Sequence, residues 1–189
     1  MPKIVSDQDS GIYNAMNIGL SYVQTGWVMF LNAGDTLRSE DSLFELLSIL
    51  EGAQTAIIQL KTNIGPSKIS PEKPYTRTSL FLGLNMHAHP SFLFDVNSVR
   101  HLQFDESYSS AGDFKFVLQV LSKQKIEFSD LVLVNFEGNG ISSTNFRLTV
   151  RETNRARREL SPNVLVRIIV LFWNAKISIM TKLKAGRSH

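Results

Sequence analysis

The 189-residue sequence contains no cysteine. That excludes a disulfide scaffold, a thiolate metal site and a cysteine nucleophile together, and it fits a reducing compartment. An apolar leader is also lacking: Met1-Pro2-Lys3-Ile4-Val5-Ser6 runs straight into Asp7 and Asp9, so no secretory signal is expected. There is no internal repeat. Apolar residues make up 43% and charged residues 20%, which is ordinary for a folded protein and argues against disorder. The length suits one domain with a real core. The net charge of +3 is unevenly spread. Residues 1–146 hold 10 Lys+Arg against 15 Asp+Glu, whereas residues 147–189 hold 10 against 2. An acidic body is followed by a basic tail.

Periodicity outlines an α/β domain. Lys3-Ile4-Val5 reads as the end of a strand. Asp9 or Ser10 is placed to cap the helix that follows, whose apolar residues Ile12, Ala15, Met16, Leu20 and Val23 keep helical spacing. Thr25-Gly26 closes it, and Trp27–Leu31 is a short buried strand. Asn32-Ala33-Gly34-Asp35 is a turn. A carboxylate just past a buried strand stands where open α/β sheets place ligands, which makes Asp35 a candidate. Ser39-Glu40-Asp41 opens a second helix, with Leu43, Phe44, Leu46, Leu47 and Leu50 as its expected buried side. Strands are predicted over Thr55–Leu60, Ser91–Phe94 and Glu127–Phe136, and helices over Gly112–Leu121 and Asn145–Leu160. Residues 61–74, rich in Pro, Ser, Lys and Gly, read as a loop of the kind that forms lids. After Ser161-Pro162 a last, more apolar helix is expected to about Lys184.

Five stretches taken in order carry a resemblance: Ser-Asp-Gln-Asp-Ser-Gly-Ile-Tyr-Asn-Ala-Met-Asn-Ile-Gly-Leu from Ser6, Phe-Leu-Asn-Ala-Gly-Asp ending at Asp35, His89-Pro90-Ser91-Phe92-Leu93-Phe94, Ala111-Gly112-Asp113-Phe114, and Gly138-Asn139-Gly140-Ile141-Ser142-Ser143. Together they resemble the family 2 glycosyltransferases of the GT-A fold, in the branch that builds colanic acid, capsule and O-antigen polysaccharides. The resemblance implies a partial GT-A, Rossmann-like α/β domain over residues 1–146, without the family's nucleoside-binding portion, and a basic helical extension over residues 147–189. It implies sugar transfer with inversion from a nucleotide-sugar donor to a hydroxyl of a glycan or lipid-linked acceptor. The alternative is a non-catalytic remnant or an accessory protein that binds glycan or membrane.

Such chemistry needs a base for the acceptor hydroxyl and stabilisation of the leaving diphosphate. By resemblance, Asn32-Ala33-Gly34-Asp35 stands at the family's D-x-D motif with only Asp35 keeping a carboxylate. Asp35 would hold a divalent cation, Mg or Mn, while Asn32 and Gly34 approach the donor. Asp9, Gly11 and Asn17 match positions on the donor side. Asn14 replaces the family's usual aspartate. Asp113 matches the acceptor-side acid and is the candidate base; capping its helix is the plainer role, and the two can coexist. A helix N-terminus by itself lowers a carboxyl pKa, so burial would have to oppose it. His89 matches a family histidine on the acceptor side. His87 and His89 lack a third nitrogen or sulfur ligand for a metal site.

The basic tail combines Leu165, Ile168, Ile169 and Phe172 with Trp173 and cations such as Arg167 and Lys176. It is too short and too charged to span a bilayer. It suits lying in the interface of an anionic membrane, with packing on the body as the competing reading. No nucleic-acid module accompanies the basic residues, so no nucleic acid is expected as a partner. A cytoplasmic protein, peripheral at the inner face of the cytoplasmic membrane, is the localisation that follows.

Overall fold

Alternation along the central strands decides how the layers form. The computed structural model describes residues 4–64, 68–82, 89–137 and 145–161, together with 163, 164, 168 and 172. In β3 (Ile57–Ile64), Ile57 points to one face of the sheet while Ile58 and Leu60 point to clusters on the other. In β5 (Phe92–Asp95), Phe92 and Phe94 share the face of Ile57, and Leu93 joins Ile58. Successive strand side chains point to opposite sides, so apolar residues at consecutive positions require cover on both faces.

That cover comes from helices. On the first face lie α1 (Ile12–Tyr22), α3 (Arg77–Phe81), α5 (Gly112–Val120) and α6 (Phe146–Leu160), which contribute Tyr13, Met16, Leu80, Phe116 and Ala156 to one cluster. α4 (Val96–Val99), capped by Asp95, follows β5 directly. On the second face α2 (Asp41–Gly52) packs Leu46, Ile49 and Leu50 over Ile58, Leu60 and Leu133.

The strand order is β1-β5-β3-β6-β2, with β1 at Trp27–Met29, β2 at Thr36–Leu37 and β6 at Ile126–Phe136. Among the described residues only β3 and β6 run parallel; β4 (Ile69–Ser70) pairs with the far half of β3. Register shifts between Gln59 and Thr62 leave extra residues on β6, and such bulges bend and twist a strand.

Several expectations change. Residues 61–64, expected in a loop, extend β3, and Thr62 and Asn63 pair with Ser70 and Ile69. The polar side chains there concealed a strand; Lys61 projects outward to Asp130, with Nζ 2.6 Å from the carboxylate. Ile4 and Val5 are exposed and belong to no strand. Neither Asp9 nor Ser10 caps α1, because the N-cap is Gly11 and no side chain bonds the first-turn amides. The expected buried side of α2 is only partly covered: Leu46 is buried and Leu50 packs against the cluster, whereas Leu43, Phe44 and Leu47 are exposed. Gly138–Ser143, His87 and most of the tail lie outside the described residues.

Candidate functional site

The turn after β1 is shaped by its residues. The Asp35 amide donates to the Asn32 carbonyl at 3.1 Å, and Gly34 at φ 94° supplies the positive angle that position i+2 of a type II turn requires. Two strand registers then converge on it. β2 and β6 pair antiparallel, Thr36 with Asn135 and Leu37 with Val134. Two steps beyond the Thr36–Asn135 pair, that register sets Glu137 opposite Gly34. The Glu137 carboxylate lies against the Gly34 Cα, where any Cβ would collide with it. The Glu137 amide donates to Asp35 Oδ1 at 3.1 Å. β1 and β5 pair Met29 with Leu93, so the chain preceding β5 brings His89 alongside the same turn.

Asp35 is 8% exposed, and its Oδ2 has no hydrogen-bond partner among the described residues. Burial raises its pKa; the Glu137 and Asn32 amides oppose that rise, and the Glu137 charge adds to it. His89 is 4% exposed, and neither ring nitrogen has a partner among the described residues. Burial lowers its pKa to about 4 against a smaller opposing pull from Asp35, so it is a neutral imidazole at pH 7. It stacks on Phe30 at 5.6 Å and meets Phe104 edge-on at 5.9 Å.

From Phe104 the aromatic cluster continues to Tyr13, stacked at 6.1 Å, and Tyr13 leads to Asp113. The Tyr13 ring lies flat on Gly112, where a Cβ would come within 2.8 Å of Cε2 and Cζ. Burial raises the Asp113 pKa to about 6, against smaller opposing pulls from the Phe114 amide, its own amide and the nearby Tyr13 hydroxyl. The Phe114 amide donates to Asp113 Oδ1 at 2.8 Å. The helix terminus does favour the anion, as expected, but desolvation outweighs it. A carboxyl poised near 6 is suited to accept a proton at neutral pH. Gly112→Ala is expected to force the buried Tyr13 ring aside at a cost of about 1–3 kcal/mol. Thermal melts check it, and an unchanged Tm would show that the ring yields freely.

The remaining donor-side candidates have visible local duties. The Asp9 carboxylate accepts from the Gly11 amide at 3.0 Å, closing the turn into α1. Asn17 spends its whole amide on one segment. Its Oδ1 accepts from the Phe104 amide at 2.8 Å, and its Nδ2 donates to the Phe104 carbonyl at 3.0 Å and to Glu106 at 2.9 Å. Asn14 Nδ2 also donates to Glu106 at 3.1 Å, so an aspartate there would face a like charge. Beyond Glu106, Lys115 lies 2.6 Å from both Asp105 and Glu159. Burial alone would raise Asp105, but the bonds from Lys115 and Ser107 hold it at about 2.

Tyr13, Glu137 and Glu152 escaped the sequence reading. Tyr13 stood inside the first landmark as the only residue there able both to cover a glycine and to donate a proton. Glu137 needed the β2–β6 register, which no local pattern reports. Glu152 is one of only two acids in a tail read for its basic charge. Against the Asn32–Ala33 side of the turn, a groove of about 460 Å³ runs between α1 and β1, floored by Ala15, Met16 and Gly19.

No family model and no curated protein matches this chain. Solved structures do. The chain is similar to the crystal structure of S. aureus TarS 1-349, with a TM-score of 0.56 and 15% identity, covering 78% of this chain and 45% of that one. It is also similar to the crystal structure of S. aureus TarS, with a TM-score of 0.54 and 15% identity, covering 74% and 26%. TarS is a family 2 glycosyltransferase. This chain spans less than half the length of either structure. At that identity the likeness carries the fold and does not reach the colanic acid and capsule branch. The chain has a mixed α/β architecture consistent with a partial GT-A fold.

Proposed function

We propose that this chain carries the acceptor-side and diphosphate-side machinery of an inverting sugar transfer from a nucleotide-sugar donor. The observation that carries the reading is the aromatic series His89, Phe104 and Tyr13, whose two ends lie within electrostatic reach of Asp35 and Asp113, two carboxyls of raised pKa. Asp113 takes the proton of the attacking hydroxyl, with the Phe114 amide fixing the direction of its carboxylate. His89, neutral and walled by Phe30 and Phe104, offers a ring nitrogen to the bound substrate. Gly34, by lacking a side chain, leaves room for the Glu137 carboxylate beside the Asp35 turn that faces the donor's diphosphate.

A divalent cation, Mg or Mn, fits the residues present. Asp35 Oδ2 is a buried carboxylate oxygen with no partner among the described residues, and Glu137 stands beside it. The described residues hold no cluster of three or more His, Cys, Asp or Glu able to bind a metal. Hard cations of this kind complete their shells with substrate phosphates and water, so one or two carboxylates suffice. When bound, the cation would offset charge on the leaving diphosphate.

The test is release of nucleoside diphosphate from a panel of UDP-, GDP- and dTDP-sugars with oligosaccharide acceptors. Turnover of at least one member is expected, with Asp35→Asn lowering it by about 100-fold or more. If no member turns over faster than with an Asp113→Asn chain, the transferase reading is wrong and an accessory glycan- or membrane-binding role replaces it.

The acceptor in this reading is a growing, lipid-linked surface polysaccharide, reached from an anionic membrane on which the C-terminal segment lies. Support comes from Val164, Ile168 and Phe172, exposed and four residues apart, in a segment whose charges are all basic. No helix of the described residues is long and apolar enough to cross a membrane. Flotation with phosphatidylglycerol vesicles should recover the full chain and lose a chain ending at Leu160. Equal recovery of both would remove the tail from membrane binding.

A further inference from the structure

A carboxylate from α6 is built into the loop that delivers Asp113. Glu152 is 8% exposed, and its oxygens accept from three successive main-chain amides: Ser109 to Oε1 at 2.9 Å, and Ser110 and Ala111 to Oε2 at 2.8 and 2.9 Å. Consecutive amides turned inward around one anion form a nest. Here the anion is the protein's own, supplied from about 40 residues further along the chain. One turn earlier on α6, Thr149 Oγ1 lies 2.7 Å from Ser110 Oγ, which holds the same loop a second time. Ala111 is the N-cap of α5, and Asp113 follows two residues later in its first turn.

Packing α6 against α5 does not by itself require a carboxylate at this position, since Ala156 and the aromatic cluster already join the helices. What the carboxylate adds is a fixed path for three residues, two of which, Ser110 and Ala111, would otherwise have buried amides without partners. The Tyr13 ring packs against the following residue, Gly112. The entry to α5 is thus held at four successive residues, 109–112, immediately before Asp113.

We propose that Glu152 is a positioning residue for Asp113, setting the carboxylate of the base by binding the 109–111 amides; this rests on the transferase reading of Asp113. Catalytic groups misplaced by about 1 Å can lose about 100-fold in rate, so such a clamp acts on turnover rather than on donor affinity.

The experiment compares wild type with Glu152→Gln, which keeps the shape but removes the charge and one acceptor oxygen. Asp-labelled protein is followed by carboxyl ¹³C NMR, with Asp113→Asn identifying the Asp113 signal. With the clamp loosened, the loop admits water and the neighbouring charge is gone, and both changes lower the midpoint. The Asp113 midpoint is expected to fall by about one pH unit. Exchange of the 109–111 amides should accelerate by about tenfold or more. kcat should fall with KM for the nucleotide sugar unchanged. Should Glu152→Gln fail to fold, Glu152→Asp, which keeps the charge on a shorter stem, carries the same readouts. A folded variant with lowered Tm but a wild-type Asp113 midpoint would reduce Glu152 to a structural residue and overturn the proposal. A wild-type chain inactive on every nucleotide sugar would instead sink the transferase reading, while the titration still decides whether Glu152 governs Asp113.

Discussion

An Asp113→Asn chain is expected to lose sugar transfer by about 10²–10⁴-fold, the usual worth of a positioned general base, and yet to melt at a higher temperature than wild type at pH 7. Both effects have one cause. Burial raises the Asp113 pKa from 3.8 to about 6, so the folded protein resists ionising a group that ionises easily when unfolded. Below about pH 4 the carboxyl is neutral in both states and its contribution to stability is complete. As pH rises through about 6 that contribution is lost, and the displacement from 3.8 to about 6 corresponds to about 3 kcal/mol. Asparagine keeps the size and the hydrogen-bonding reach but never ionises, so the loss disappears together with the base.

His89 supplies the opposite slope. Its folded pKa is lowered from 6.5 to about 4 by burial. The stability it lends is present above 6.5 and lost as pH falls towards 4. In wild type the two residues partly cancel between pH 4 and 6. In Asp113→Asn the histidine acts alone, so stability should climb with pH across that interval. Melting curves at pH 4.5, 5.5 and 7 read this directly. An asparagine variant no more stable than wild type at pH 7, with the same pH slope, would mean that Asp113 is well solvated and unsuited to its proposed role. Nucleotide-sugar binding, measured by calorimetry, should survive the substitution, because the Asp35 turn and the α1–β1 groove are untouched by it.

Phe104→Ala is expected to cost about 3–5 kcal/mol of stability, the largest structural effect of any single truncation proposed here. Phe104 is 2% exposed and stacks on Phe116 at 4.2 Å, nearly parallel. It also meets Phe30 edge-on at 5.0 Å, besides Tyr13 and His89. Truncation therefore removes a ring shared by α1, α5 and the turn before β5, and Asn17 pins the Phe104 backbone so that it cannot slide in to fill the cavity. For a chain of this size the change should lower Tm by about 6–20 °C. Phe104→Leu, which leaves a smaller void, should fall between. A loss below about 1 kcal/mol would show that the aromatic series joining Asp35 to Asp113 is loosely packed, and the geometry of the candidate site would lose its support.

Much of the local order was legible in the chain. The spacing of Met16 and Leu20 announced α1, and the runs at Trp27, Ser91 and Glu127 announced β1, β5 and β6, because amphipathic periods and bounding turn residues act over a few positions. β2 and β4 stayed hidden because two-residue strands have no period to read. Residues 61–64 were misread because a strand facing solvent with Lys61 and Asn63 looks like a loop by composition. The apolar arc of α2 was visible, but how much of it the sheet covers was not.

The site divides in the same way. Asp35 could be found from its own turn, and Asp113 from the start of its helix, since both positions follow from local chain geometry. Glu137 at the Asp35 turn, Tyr13 on Gly112 and Glu152 beneath the 109–111 loop come from strand register and helix packing across about 40 to 100 residues. The charge state of Asp113 shows most plainly where the two sources part. Read locally, a carboxyl at a helix N-terminus has its pKa lowered. Only the assembled core, by removing water from around it, pushes that pKa up to about 6, because desolvation depends on everything packed nearby while the helix terminus acts over a single turn.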